Sequence, residues 1–181
     1  MIETAFGWIG EIASFVGRML PRLLIVKWSH RAVKYVRGSN VVALEPGLHI
    51  YWPLVTEIET CAVVLQVLNL PTQLLETADG APVAASGVVE YTVDDPIQYL
   101  AECENAYEAI TNVATAAIRR VVNSLPYAQL QAGGSDLDRK LTGATQRLLG
   151  DFGVHVKKTR LSDFARVRPI HITGGQEFNF G

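Results

Sequence analysis

The sequence predicts an α+β fold: a curved, mostly antiparallel sheet with helices packed on it, preceded by an amphipathic N-terminal helix. Three observations carry this reading. Residues 4–20 repeat polar positions at steps of three and four. Residues 23–93 break into short β-branched runs punctuated by turn signals. From Asn105 to Gly150 the apolar period becomes helical. The chain has 181 residues, enough for one domain with a proper core and too few for two ordinary ones. The expected organisation is a helical segment over residues 1–22, the domain over 23–168 and a short tail over 169–181.

In the first segment Thr4, Gly7, Glu11, Ser14 and Arg18 form one polar or small stripe. Phe6, Trp8, Ile9, Ile12, Phe15, Val16, Met19 and Leu20 cover the rest of the circumference, and Pro21 ends or kinks the run. As a spanning helix it is poor, because a segment of this length rises about 26 Å against a hydrocarbon core of roughly 30 Å. Glu11 at its middle adds a cost of roughly 2.5–3.5 kcal/mol on insertion scales. A helix lying in the interface keeps Glu11 and Arg18 wet and buries the other face. The same face suits packing on the protein's own sheet or on a neighbouring subunit. Neither a basic leader nor a small-residue cleavage site marks a signal peptide.

Strands are expected over residues 23–28, 31–36, 41–44, 48–52 and 56–69. Gly38-Ser39-Asn40 turns the chain after the second, and Pro46-Gly47 turns it before the fourth. In the latter, Leu48, Ile50 and Trp52 alternate with His49, Tyr51 and Pro53, so they share a face. Asp79-Gly80 reads as a primed hairpin turn. The strand after it alternates from Val83 to Val93, with Gly87 a bulge or close-packing point. Asp94-Asp95-Pro96 stops that strand and opens a short helix through Leu100.

Asn105 and Glu108 form an N-cap pair for a long helix carrying Ala106, Ile110, Val113, Ala117, Ile118 and Val121. Arg119 and Arg120 suit its C-terminal dipole. Leu125-Pro126 breaks it, and Ser135 with Asp138 caps a second helix ending at Gly150. Residues 154–161 read as a charged edge strand with Lys157, Lys158 and Arg160.

The net charge is −2, which argues against nucleic acid as a main partner. Residues 1–40 hold six cations, Arg18, Arg22, Lys27, Arg31, Lys34 and Arg37, against Glu3 and Glu11, a surplus of four. Basic residues beside an apolar helix suit an anionic membrane surface. Cys61 and Cys103 show no metal or disulfide spacing, and the four histidines stand singly. No metal or cofactor is expected. Ser86 and Ser162-Asp163 invite a search for a nucleophile but lie outside G-x-S-x-G, and Asp94-Asp95 beside Pro96 reads as a helix-start device. The expectation is a protein without catalytic residues.

Several motifs occur together in a fixed order. An apolar N-terminal segment precedes Ala32-Val33-Lys34-Tyr35-Val36-Arg37-Gly38, followed by Leu44-Glu45-Pro46-Gly47-Leu48-His49 with Pro53. Thr77-Ala78-Asp79-Gly80 with Val83 comes next, then Val88-Val89-Glu90-Tyr91-Thr92-Val93-Asp94-Asp95-Pro96, Ile118-Arg119, Gly153-Val154-His155-Val156 and Leu161-Ser162-Asp163. In this order the chain resembles the SPFH or band 7 family, which includes stomatins, prohibitins and flotillins, over about residues 23–165.

The resemblance implies a membrane-associated, non-enzymatic scaffold, peripheral or monotopic on the cytoplasmic face, that assembles side by side into a homo-oligomeric ring or cage. Lipid and a membrane protein are the implied partners. It also implies that the stretch containing Tyr51 and Trp52 lies near the membrane-facing part of the domain, making both interfacial aromatics. Read by themselves, Leu48, Ile50 and Trp52 equally suit a core face. The family's long charged coiled-coil helix is not continued here, where Pro169 and Gly174-Gly175 stand instead, so a tall cage wall is not expected in the usual form. A different reading is a soluble interaction module of a larger viral or bacterial assembly, with the N-terminal helix buried against protein.

Overall fold

The computed structural model describes residues 20–101 and 103–167. Of the segments expected at the two ends, only residues 20–22 of the first fall within that range; the helix over residues 4–19 and the tail over 169–181 lie outside it. The strands form three antiparallel sheets rather than one continuous sheet. Strand β1 (Arg22–Val26) pairs with β4 (Gly47–Tyr51) as a two-stranded ribbon. Strand β2 (His30–Val36) lies between β3 (Asn40–Leu44) and β5 (Thr56–Ala62). In the sheet with the longest strands β7 (Pro82–Val93) lies between β6 (Gln66–Glu76) and β8 (Val154–Arg166).

Turn chemistry sets these registers. Between β2 and β3 the left-handed residues are Arg37 (φ 53°) and Gly38 (φ 71°), so a primed turn begins one residue earlier than expected. Ser39 N–H donates to the Val36 carbonyl across it at 3.3 Å. The Asp79-Gly80 turn is not primed, because only Gly80 has positive φ (74°). Gly80 N–H returns to the Thr77 carbonyl and Thr77 N–H to that of Ala81, both at 3.0 Å. The Asp79 carboxylate accepts from the Thr77 hydroxyl and from Tyr127 N–H, which hold its pKa below the ordinary carboxylate value. The turn thereby anchors the start of a helix.

Four helices follow β7: α1 (Pro96–Ala101), α2 (Ala106–Ser124), α3 (Tyr127–Ala132) and α4 (Ser135–Leu149), the last running into a 3-10 turn, Gly150–Phe152. The α2 cap forms as expected. Asn105 Oδ1 accepts from Glu108 N–H at 3.2 Å and its amide donates to the Glu108 carboxylate at 3.1 Å. Helix α4 differs, since Gly134 occupies its N-cap without a side-chain bond and Asp136 and Asp138 supply the acidic first turn. Arg119 is too far from the end of α2 to meet its last carbonyls. It donates instead to Gln73 Oε1 at 3.0 and 3.2 Å, tying α2 to β6.

The core lies between these helices and the β6–β7–β8 sheet. Ile110, Ala114, Ile118 and Val122 of α2, and Leu141 and Leu149 of α4, meet Val83, Val89 and Tyr91 of β7 with almost no exposure. The alternation of β7 is as read: Val83, Ala85, Val89, Tyr91 and Val93 are all buried. Strand β8 is the expected edge but runs five residues further, to Arg166. Helix α4 covers part of that edge with side chains. Gln146 Oε1 accepts from Val156 N–H at 2.6 Å and Thr142 Oγ1 from Thr159 N–H at 2.9 Å, satisfying donors that a further strand would otherwise take. In β2, Ala32 and Val33 are both fully buried, so both faces of that strand are covered there.

Candidate functional site

The β1–β4 ribbon keeps its apolar residues on the outside. Its register places Leu23 opposite Ile50 and Ile25 opposite Leu48, and directly opposed residues of an antiparallel pair share a face. On that face Leu23, Ile25, Leu48 and Ile50 retain 67%, 74%, 64% and 63% of their surface. The other face holds Val26, which is buried, and Leu24, His49 and Tyr51, which are half-buried. Leu20 and Trp52 at one end of the ribbon, Trp28 at the other and Leu54 and Val55 just beyond are also exposed.

Among the described residues Leu48, Ile50 and Trp52 are not core, because no layer of those residues covers this side of the ribbon. Tyr51 and Trp52 also separate. Tyr51 lies opposite Arg22 on the inner face, whereas Trp52 is exposed after the strand ends. Leu20 is exposed, and Phe6, Trp8, Ile9, Ile12, Phe15, Val16 and Met19 lie outside the described residues.

Burying a large aliphatic side chain gains roughly 1.5–3 kcal/mol. A contiguous set left in water marks a surface made to be covered. Its ionic border is basic. Arg22, which starts β1 on its inner face, and Lys27, just beyond its end, are exposed, and neither has a carboxylate within ion-pair distance among the described residues. Glu45 pairs with Arg31 at 3.2 Å, and its carbonyl is met by His49 Nε2 at 2.7 Å, which steadies the turn into β4. Among the described residues no helix is long and apolar enough to cross a membrane.

The β7–β8 register does bring Ser86, Ser162 and Asp163 together. Ser86 Oγ lies 2.8 Å from Ser162 Oγ and donates to Asp163 Oδ2 at 2.6 Å, where the ladder slips by one residue. Among the described residues no histidine hydrogen-bonds to either serine, and the three side chains bond to one another where the extra residue of β8 makes a bulge. Asp95 Oδ1 accepts from Ile97 and Gln98 N–H at 2.9 and 3.3 Å, the helix-start role expected of it.

A family model described as "SPFH domain / Band 7 family" matches residues 24–165, from within β1 to near the end of β8, which takes in most of all three sheets and the helices. The chain belongs to the SPFH/Band 7 family. Among curated relatives, this SPFH domain is 27% identical over 139 residues to a stomatin homolog of Pyrococcus horikoshii, covering 77% of this chain and 52% of that protein. It is 24% identical over 155 residues to an uncharacterized protein of Methanocaldococcus jannaschii, covering 86% and 77% of the two chains. With Stomatin-3 of Caenorhabditis elegans it shares 22% over 125 residues, covering 69% and 47%. The chain spans about half the length of the stomatin homologs it matches.

The alternation of β4 shows that Leu48, Ile50 and Trp52 share a face but not that it is exposed. Leu23, Ile25 and Trp28 were legible only as strand residues. The bounding prolines Pro46 and Pro53 were the available signal that β4 is short and lies at an edge.

Proposed function

We propose that this SPFH domain is a non-enzymatic, membrane-associated scaffold whose β1–β4 ribbon lies against lipid and whose copies assemble side by side. The exposed face of Leu23, Ile25, Leu48 and Ile50, bordered by Arg22 and Lys27, carries this reading. Apolar side chains enter the acyl boundary while the cations meet anionic headgroups. The segment over residues 1–22 joins β1 directly. As an interfacial helix it adds Phe6, Trp8, Ile9, Ile12, Phe15, Val16, Met19 and Leu20 to the same attachment, with residues 23–168 as the domain and 169–181 as a tail. Trp52 belongs to the lipid contact, and Tyr51 supports it from the inner face. Single domains hold the membrane weakly, and a homo-oligomeric ring multiplies the hold through effective concentration.

Vesicle flotation tests this proposal. The protein is expected to float with vesicles containing phosphatidylserine and to float less as salt rises from 0.05 to 0.5 M, since the Debye length shrinks from roughly 14 to 4 Å. Protein that remains in the soluble fraction at every salt concentration and forms a lipid-independent oligomer would instead place a protein partner on the ribbon.

A further inference from the structure

Away from the ribbon, a cleft of about 500 Å³ opens between the β3–β2–β5 sheet and the turn joining α1 to α2. Tyr35 of β2 and Glu59 of β5 line one wall; Tyr99 of α1, Glu104 and Tyr107 line the other. The Tyr35 hydroxyl donates to Glu59 Oε2 at 3.2 Å, which fixes a phenol beside a carboxylate. Burial, then that bond and the charges of Glu59 and Glu57, raise the Tyr35 pKa. Behind the cleft is Tyr91, 1% exposed, whose phenol is held well above its ordinary pKa by burial and then by Tyr99, with a smaller contribution from Tyr107. Phenols and carboxylates therefore converge from β2, β5, α1, α2 and the turn between the two helices.

The carboxylates have no internal counter-ion. Among the described residues no lysine or arginine lies within ion-pair distance of Glu57, Glu59 or Glu104. Arg31, which shares the Tyr35 face of β2, is taken by Glu45 at 3.2 Å. Both ends of the Asn105 amide are used by Glu108 in the helix cap. Aromatic faces attract cations through their quadrupole, and adjacent carboxylates add charge. A phosphate is repelled there, and a bare metal ion is far smaller than the cleft.

We propose that this cleft binds a compact organic cation, an alkylammonium or guanidinium group, between Tyr35, Tyr99 and Tyr107 with Glu59 and Glu104 as counter-charges. A quaternary ammonium compound and a basic side chain of another polypeptide present the same chemistry. The test titrates the full chain with tetramethylammonium, choline or N-acetyl-argininamide at constant ionic strength, with sodium chloride as blank, followed by amide NMR shifts. At least one organic cation is expected to give saturable shifts centred on Tyr35, Tyr99 and Tyr107. Tyr107→Ala and Glu59→Gln should each weaken it about fivefold, whereas Tyr107→Phe retains it.

Both sites are exposed, Tyr107 by 61%, so unchanged amide shifts elsewhere will report an intact fold. Saturation by choline and tetramethylammonium alone assigns a quaternary ammonium ligand, and saturation by argininamide alone assigns a basic side chain. The proposal is overturned if none of the three saturates, or if the shifts persist unchanged in Tyr107→Ala/Glu59→Gln.

Discussion

Gly87→Ala lowers the unfolding free energy by about 2–3 kcal/mol, within the range of overpacked cores. Gly87 lies in the central strand β7, where a Cβ would meet the Ile118 side chain of α2 and, at 2.9 Å, the Arg160 carbonyl of β8. The first neighbour can give way by shortening, but the second is backbone in a paired strand and cannot. Ile118→Val removes the atom nearest the new methyl, so the double variant Gly87→Ala/Ile118→Val is expected to be more stable than the sum of the single effects by about 1 kcal/mol. Urea unfolding of the four proteins measures this coupling. Additive effects would mean that helix α2 does not press on β7 at this point. Against a typical total of roughly 5–15 kcal/mol, such a loss is a large fraction of the fold's margin.

Ile25→Gln/Ile50→Gln is expected to lower partitioning onto phosphatidylserine vesicles by on the order of a hundredfold without shifting the melting temperature. Each substitution forfeits at least the roughly 1.5 kcal/mol gained by burying a large aliphatic side chain, and two such losses multiply in the partition coefficient. Both residues are mostly exposed in the folded domain, so folding loses little by the change. Glutamine is preferable to glutamate because it adds no charge, leaving electrostatic attraction to the lipid as it was. A fall in melting temperature with unchanged partitioning would show that the ribbon face serves folding rather than attachment.

Much of the fold was legible because local chemistry and tertiary structure agree. The Asn105–Glu108 cap and the alternation of Val83 through Val93 each depend on residues near one another in sequence or on a strict period. The ribbon was harder. Alternation reports that Leu48 and Ile50 share a face, but whether that face is covered depends on β1 pairing across the intervening β2 and β3. The full length of β8 was hidden for a related reason: Ser162 and Asp163 have weak strand character alone, and the strand continues past them through the pairing of Asp163, Phe164, Ala165 and Arg166 with β7. The tyrosine cleft gathers Tyr35, Glu59, Tyr99, Glu104 and Tyr107 from distant segments, and of these Tyr35 alone lies in a motif. The Arg37 turn ran against residue preference, since a bulky residue seldom takes positive φ.

The central claim is that the outer face of the β1–β4 ribbon lies against lipid, and Trp52 reports on it most directly. In Trp8→Phe/Trp28→Phe, Trp52 is the remaining tryptophan, exposed at the end of that ribbon. With vesicles carrying brominated acyl chains, its emission should shift to the blue and be quenched. Unquenched Trp52 emission from protein that floats with the same vesicles would contradict the claim.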